Sequence, residues 1–597
     1  MARAAVAESP RAGRRRAAPT AGRRRARPLE NIDVARILDE VADLLEIQGG
    51  NPFRVRAYRT AARTIGALAV PAATLAAAER LDDLPGIGRD LAGKVAAILA
   101  TGTLPLLEEL TAKTPESLVQ MLRIPGLGPR RAQQIHATLG ITSLHALEAA
   151  AKAGRLRELP GIKAATERKI LQGLAEWRRH AGRWRLADAE AYLTPLVAHL
   201  EGEAAVARLE VAGSYRRRRE TVGDIDLLVA SARPRAVVKR FTGYPRVSQV
   251  EAEGTTRSAV VLDCGLHVDL RVVPAAAFGS ALHYFTGSKA HNIAVRALGL
   301  KRGLTINEYG VFRGRRRLGG RTEAQVFAAV GLPWIAPELR EARGEIEAAR
   351  AGRLPRLVEV ADIRGDLQVH TTATDGVHEL AEMVEAARVR GYEYVAITDH
   401  TRAVRVAGGL DRAGFRRQFR AIDRLQARHP GIAILKGAEV DILDDGRLDL
   451  DDATLAELDI VIAAVHSRLN LPRAAMTRRI VRALQHPRVH VLAHPTGRLL
   501  GSREPSALDF DRILTAAAAH GVALEINAQP ERLDLDDVHA RAARDAGVSL
   551  VISTDAHRIE DLAFMRHGVD QARRGWCEAR HVLNTRPLAE LRRALRR

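Results

Sequence analysis

The sharpest chemical signal in the sequence is a pair of carboxylates spaced i, i+2, Asp224 and Asp226, in the run VGDIDLLV. The run alternates and is rich in β-branched residues, so it is predicted to be a strand with both carboxylates on one face. Two like charges side by side repel unless a cation lies between them. Hard oxygen donors at this spacing suit a pair of Mg²⁺ or Mn²⁺ ions carrying a triphosphate. Asp269, in the short apolar strand HVDLRVV, is the candidate third carboxylate, because a neighbouring strand of the same sheet brings it beside the pair. His267 shares that face and is read as a hydrogen-bonding neighbour, since Mg²⁺ prefers oxygen. Upstream, Gly213 and Ser214 follow the apolar run LEVA and offer backbone N–H groups and a hydroxyl to a phosphate, with Arg216 or Arg217 behind them. D-x-D alone leaves a solvated edge strand as the alternative. The added Gly-Ser turn and later strand Asp argue for the site.

A second set of chemistry-bearing residues begins past Asp362, where short apolar strands alternate with Ala- and Arg-rich helical stretches. Metal-type residues fall where the strands end. His370 and Asp375 follow RGDLQV, Asp399 and His400 follow YEYVAIT, and Glu439 follows AILKGA. His466 follows DIVIAAV, His494 follows VHVLA, and Asp555 and His557 follow VSLVIST. A lone His of this kind is most often a satisfied surface residue, but the placement repeats strand after strand. In a β/α barrel the C-terminal strand ends form one mouth, so these side chains are expected to converge there. His and carboxylate ligands without Cys suit Mn²⁺, Fe²⁺ or Zn²⁺ in a hydrolytic multinuclear site. Gln368, i, i+2 from His370, shares its face and is either a weak neutral ligand or a hydrogen-bonding neighbour.

A third signal is repeated. LPGIGRDLAGKV, IPGLGPRRAQQI and LPGIKAATERKI each place a Gly-rich turn between short helices, with Lys163 replacing the second glycine in the last copy. Gly86, Gly88, Gly126 and Gly128 are predicted to let backbone approach a DNA phosphate at the start of a helix. One such turn would be only a turn; the repetition points to backbone binding.

The elements that must position these groups make up a chain of 597 residues, too long for one core. Lys and Arg number 92 against 71 Asp and Glu, and the net charge of +21 favours a polyanionic partner, with nucleic acid the default. No long apolar run or aromatic-rich basic helix supports a membrane partner. Two cysteines, Cys264 and Cys577, cannot staple such a chain, so a reducing compartment, the cytoplasm, is expected. Residues 1–28 hold nine arginines without the apolar stretch of a signal peptide and are expected to be a disordered basic tail.

The Gly-Ser turn with its aspartates resembles the nucleotidyltransferase superfamily, and YFTGSKAHN resembles the nucleotide-selecting motif of family X DNA polymerases. That resemblance implies that Tyr284, Phe285, Gly287 and Asn292 line a dNTP pocket and that Arg296 contacts the template side. From the residues alone, the aromatic pair could equally be a core wedge. The first hairpin segment resembles the small N-terminal domain of the same family, in which a lysine at the position of Lys94 forms a Schiff base in some members. Asp90 lies i, i+4 before Lys94 and would hold it charged, which favours phosphate contact over lyase chemistry. From Asp362 on, ITDH, AVHS, AHPTGR and TDAH resemble the polymerase and histidinol phosphatase (PHP) domain, a distorted barrel holding up to three metals. The opening H-x-H of that family is here Gln368-Val369-His370, which puts one metal position in doubt.

The expected fold is therefore multidomain, α+β and α/β. It runs from the tail (1–28) through a helical helix-hairpin-helix domain (29–105), a second hairpin subdomain (106–182), a nucleotidyltransferase palm (183–274) and a nucleotide-selecting subdomain (275–335). A linker (336–360) and a PHP phosphoesterase domain (361–597) complete it. The expected function is gap-filling DNA synthesis in repair, with metal-dependent 3′-5′ exonuclease or related end-processing from the barrel. The expected ions are Mg²⁺ or Mn²⁺ in the palm and Mn²⁺ and/or Zn²⁺ in the barrel. The expected partners are gapped or nicked DNA and dNTP, bound by a monomer. Two alternatives stand open: a non-templated nucleotidyltransferase, and a DNA-binding phosphoesterase with an inactive palm.

Overall fold

The structure, a computed structural model, describes residues 31–596 apart from 67, 69–71, 115–117, 119, 120, 122, 123, 125, 126, 181 and 182. The basic tail and Gly126 lie outside the described residues. The first helical unit buries Val34, Leu38 and Val41 of helix Asn31–Ile47 against Tyr58 and Ile65 of helix Pro52–Gly66, and against Val95 and Ile98 of helix Arg89–Thr101. The i, i+3, i+4 spacing of those apolar residues gives each helix one buried stripe. A second helical core gathers Leu118, Ile135, Leu147, Ile170 and Leu174, and Ile47 of the first unit packs into it.

The three hairpin turns share one geometry. The amide of the central apolar residue donates three residues back: Ile87 to Leu84 at 3.0 Å, Leu127 to Ile124 at 3.0 Å and Ile162 to Leu159 at 3.1 Å. Gly86 and Gly161 take left-handed φ of +75° and +80°. Gly88 and Gly128, which cap the following helices, have φ of −79° and −76°, a conformation open to any residue. Lys163 therefore occupies the corresponding position without breaking the third turn.

The palm is a five-stranded sheet of order β2-β4-β7-β6-β5, preceded by β1 (Trp184–Arg185). Its strands are β2 (Arg208–Val211), β4 (Ile225–Ala230), β5 (Val247–Glu253), β6 (Arg257–Leu262) and β7 (His267–Val273). The short β3 (Thr221–Val222) pairs with β1 instead. A three-stranded sheet follows, made of β8 (Thr305–Asn307), β9 (Gly310–Arg313) and β10 (Arg316–Gly319), packed with helices Phe278–Thr286 and Lys289–Leu300. Residues 336–360 form an ordered connection through helix Glu345–Arg350, with Ile346 and Ala349 buried against Trp576.

The C-terminal unit is a parallel sheet of seven strands in chain order. They are β11 (Gly365–Val369), β12 (Tyr394–Ile397), β13 (Ala433–Asp441), β14 (Ile460–Ala464), β15 (Val491–Leu492), β16 (Ala523–Asn527) and β17 (Leu550–Ser553). A parallel bridge from Val369 to Ala556 brings the last strand back to the first, so the sheet is nearly closed. Helices cover its outer face, so the strands are buried nearly throughout, including the polar Asp366, Gln368, Glu439 and Glu525 that they carry. The palm lies against this barrel through ion pairs of Arg566 with Glu190 and of Arg498 with Glu220.

Candidate active sites

The palm site is built by sheet register. β4 and β7 are parallel with Asp226 directly opposite Asp269, so the two carboxylates stand side by side on one face. Asp224 departs from the expected strand placement. The chain leaves β3, which pairs with β1, and enters β4, which pairs with β2 and β7, so Gly223 and Asp224 form the bend between two sheets. Asp224 is exposed there, close enough to act on its neighbour. Burial, then the charges of Asp224 and Asp269, push the Asp226 carboxyl up to about 7, with Arg271 and Arg217 opposing. One Asp269 oxygen is buried without a hydrogen-bond partner, and the nearest cation, Arg257, stands 3.8 Å away. Crowded carboxylates, one of which keeps a raised pKa despite these arginines, fit a divalent cation. Gly213 closes on this group with φ +62°, where a Cβ would run into the Asp226 carboxylate, so only glycine fits the turn. His267 is exposed, with its Nδ1 3.3 Å from Glu251.

Tyr284 and Phe285 sit at the end of helix Phe278–Thr286, ring to ring in an edge contact at 5.2 Å, with Tyr284 38% exposed. Gly287 ends that helix at φ +71°. Ser288 caps the next helix, on which Asn292 donates from Nδ2 to the Tyr284 carbonyl at 2.7 Å while its Oδ1 is buried without a partner. Arg296, on the same helix, is exposed. The arginines expected behind the phosphate turn are engaged elsewhere. Arg216 bonds the Glu323 carboxylate and the Thr286 hydroxyl, and Arg217 bonds Glu341 and the Thr286 carbonyl. The physical reason is burial: Glu323 and Glu341 lie almost inside the molecule and need these guanidiniums.

In the hairpin unit, Lys94 pairs with Asp90 as the spacing predicts and also stands over the Tyr58 ring. Burial works to lower its pKa, but the bonds to Asp90 and Tyr58 win and raise it. The ammonium form is thus favoured.

At the barrel mouth, His370, Asp375, His400, Glu439, His466, His494, Asp555 and His557 come together. Glu439 is the hub. One of its carboxylate oxygens lies 3.3 Å from both His370 Nε2 and His400 Nδ1, and the other lies 3.1 Å from His466 Nε2 and 3.0 Å from His494 Nε2. Asp555 lies 3.1 Å from His370 Nε2, and Asp375 lies 3.5 Å from both His400 and His557. Three ligand groups result, each with its donor atoms within 4.8 Å: His370, Asp375, His400 and His557; His400, Glu439 and His466; His370, Glu439 and Asp555. Both nitrogens of His370, Nδ1 of His400 and Oε1 of Gln368 are buried without hydrogen bonds, as open ligand atoms would be. Despite full burial, Asp555 and Glu439 raise the His370 pKa well above its usual value, and the surrounding histidines hold Glu439 well below its own. A cluster of this donor set fits divalent metal.

Sequence reasoning missed the residues that orient these ligands. Asp441, two positions after Glu439, lies 3.1 Å from His466 Nδ1. Asn527 of β16 donates to both Glu525 and Asp555, and Glu525 accepts the His494 amide and the Ser553 hydroxyl. Burial, then Asp555, push Glu525 well above the carboxylate range. The available signal was a glutamate in the centre of the apolar strand ALEIN. Asp399, expected from the sequence among the metal-type residues, belongs to none of the three ligand groups; it accepts from the amide and hydroxyl of Thr371 and so fixes the loop after His370.

Family models match four stretches: a helix-hairpin-helix domain over residues 29–104, a SAM-like helix-hairpin-helix tandem over 118–176, the DNA polymerase beta thumb over 281–341 and the PHP domain over 366–529. The chain is 38% identical to "DNA polymerase/3′-5′ exonuclease PolX" of Bacillus subtilis (strain 168), over 95% of its own length and 99% of that protein. A "Probable phosphatase" of Syntrophotalea carbinolica is 29% identical over 34% of this chain and 85% of its own. "Probable phosphatase YcdX" of Escherichia coli O81 is 31% identical over 32% of this chain and 78% of its own. The two phosphatase matches are barrel-sized, whereas the first runs through hairpins, palm and barrel in one alignment. The chain belongs to the family X DNA polymerases that carry a C-terminal PHP domain.

Proposed function

We propose that this enzyme fills short gaps in DNA during repair and removes 3′-terminal nucleotides with its barrel. The observation that carries the palm half is the register pairing of Asp226 with Asp269, which sets two carboxylates side by side. In this reading Asp224, Asp226 and Asp269 hold two Mg²⁺ or Mn²⁺ ions, which supply charge stabilisation to phosphoryl transfer. Gly213 and Ser214 present N–H and hydroxyl donors to the dNTP phosphates. Tyr284, Phe285 and Gly287 face the sugar, Asn292 uses its unpartnered Oδ1 or its amide toward the nucleotide, and Arg296 lies on the template side. Arg217 acts from behind, holding the turn.

The hairpins at Gly86, Gly88, Gly126 and Gly128 hold gapped or nicked duplex through phosphates, with Lys94 as a phosphate contact. In the barrel, Mn²⁺ or Zn²⁺ held by the His and carboxylate groups would supply a polarised phosphate and an activated water. Glu439 orders four imidazoles around itself, and Asn527 aims Asp555. The domain division expected from the sequence serves this reading, as does a monomer in the cytoplasm. Among the described residues no single helix is long and apolar enough to cross a membrane. The test is a 5′-labelled primer on gapped DNA with Mg²⁺ or Mn²⁺, run with and without dNTPs. Template-directed extension with dNTPs and shortening without them are expected. Extension that ignores the template would favour a non-templated transferase, and shortening alone an inactive palm.

A further inference from the structure

Four arginines, Arg216–Arg219, separate the Gly213–Ser214 turn from Asp224, and each has a carboxylate partner. Arg218 reaches out of the palm to Asp570 of the barrel at 3.7 Å. The turn is also held from the barrel side. Arg574 ends helix Met565–Arg574, and its side chain is 3% exposed. Its Nη1 donates to the backbone carbonyl of Arg217 at 2.6 Å and to Glu341 at 3.1 Å, and its Nη2 donates to Asp537 at 2.6 Å. Glu341 is thus shared by Arg574 and Arg217, while the Arg217 guanidinium donates onward to the Thr286 carbonyl at 2.6 Å. Thr286 ends the helix that carries Tyr284 and Phe285. One barrel guanidinium therefore fixes, through a single intermediate residue, both the phosphate-facing turn and the sugar-facing helix end.

We propose that Arg574 is a positioning residue for nucleotide binding in the palm, which makes the barrel a structural part of the polymerase site. The inference rests on the palm reading above. A turn ordered in advance does not have to be ordered when the nucleotide arrives, and losing that order weakens binding. Arg574 is remote from the reacting atoms, and its contribution is the same before and during phosphoryl transfer. It therefore acts on KM for dNTP and leaves kcat nearly unchanged. Its bonds are buried and charge-assisted, so salt screens them little.

The experiment uses the full chain with Arg574→Ala and Arg574→Lys, measuring single-nucleotide incorporation on gapped DNA against dNTP concentration. Excision of a 3′ nucleotide and the thermal midpoint are read on the same preparations. Arg544→Ala is the control, because Arg544 bonds the Trp576 carbonyl at 2.8 Å within the barrel and has no bond to the palm. Arg574→Ala is expected to raise KM for dNTP about tenfold, with kcat and excision each within about twofold, the scale of one lost charge-assisted hydrogen bond. Arg574→Lys should fall between, since an ammonium cannot span the three acceptors. If Arg574→Ala does not fold, the Lys variant carries the test. Unchanged KM in a folded variant overturns the inference, as does a parallel loss of both activities, or a rise in KM of the same size in Arg544→Ala. Failure of the unsubstituted chain to incorporate dNTP overturns the palm reading and this inference with it.

Discussion

Gln368 stands where the resemblance to the PHP domain implies a histidine, and its surroundings suggest what a glutamine does there. The side chain is fully buried, its Nε2 is 3.4 Å from Asp555, and its Oε1 has no partner. A neutral amide oxygen is a weaker donor to Zn²⁺ than imidazole, so the position shared with His370, Glu439 and Asp555 should hold metal loosely. Gln368→His is expected to add about one retained Zn²⁺ per chain after dialysis against a weak chelator, read by metal analysis of the intact protein. Three firmly held ions in the unsubstituted chain would rule out a loose position, and unchanged content in the variant would assign Gln368 to orienting Asp555. Single residues were legible from the sequence where their chemistry repeats, as with the imidazoles after successive strands. The partner of Arg217 was not legible, because a basic residue next to a Gly-Ser turn carries no local sign of the buried Glu341, which arrives 124 positions later and takes its guanidinium.

At the scale of the element, the hairpin turns separate what folding requires from what a ligand requires. Gly86 needs its glycine twice over: φ is +75°, and a Cβ would stand 2.6 Å from Thr60 Cγ2. Gly88 and Gly128 have ordinary φ and open space where a Cβ would go, so folding does not explain them. Something outside the chain, a DNA phosphate in this reading, is what their missing side chains admit. Gly86→Ala is therefore expected to lower stability by about 1–2 kcal/mol, seen in the thermal midpoint. Gly88→Ala with Gly128→Ala should leave the midpoint in place and weaken binding to duplexes of unrelated sequence, most at low salt where phosphate contacts count most. A double variant that binds as tightly as the parent would remove the phosphate argument. These turns were legible because their geometry is local. The bend that takes Asp224 off the strand and the support from Glu525 and Asn527 were not, since both depend on which strands become neighbours.

On the scale of the whole molecule, the two sets of candidate ligands share no residue. The palm set comes from the bend before β4 and from β4 and β7; the barrel set comes from β13 and the loops after β11, β12, β14, β15 and β17. The clasp through Arg574 joins the two bodies without passing through any of those ligands. Each activity should then be removable alone. Asp226→Ala takes away the carboxylate that faces both Asp224 and Asp269, and several kcal/mol of lost charge stabilisation corresponds to on the order of a thousandfold loss of extension. Excision should stay within about twofold, because nothing in the barrel cluster depends on that carboxylate. His400→Ala removes a ligand common to two of the three metal groups, so excision should fall by at least about a hundredfold while extension persists. Both variants are read on one labelled gapped substrate, with folding followed by the thermal midpoint and DNA binding by titration. If either substitution abolishes both activities in a chain that still folds and binds DNA, the sites are not independent, and the barrel and palm would have to be treated as one catalytic centre.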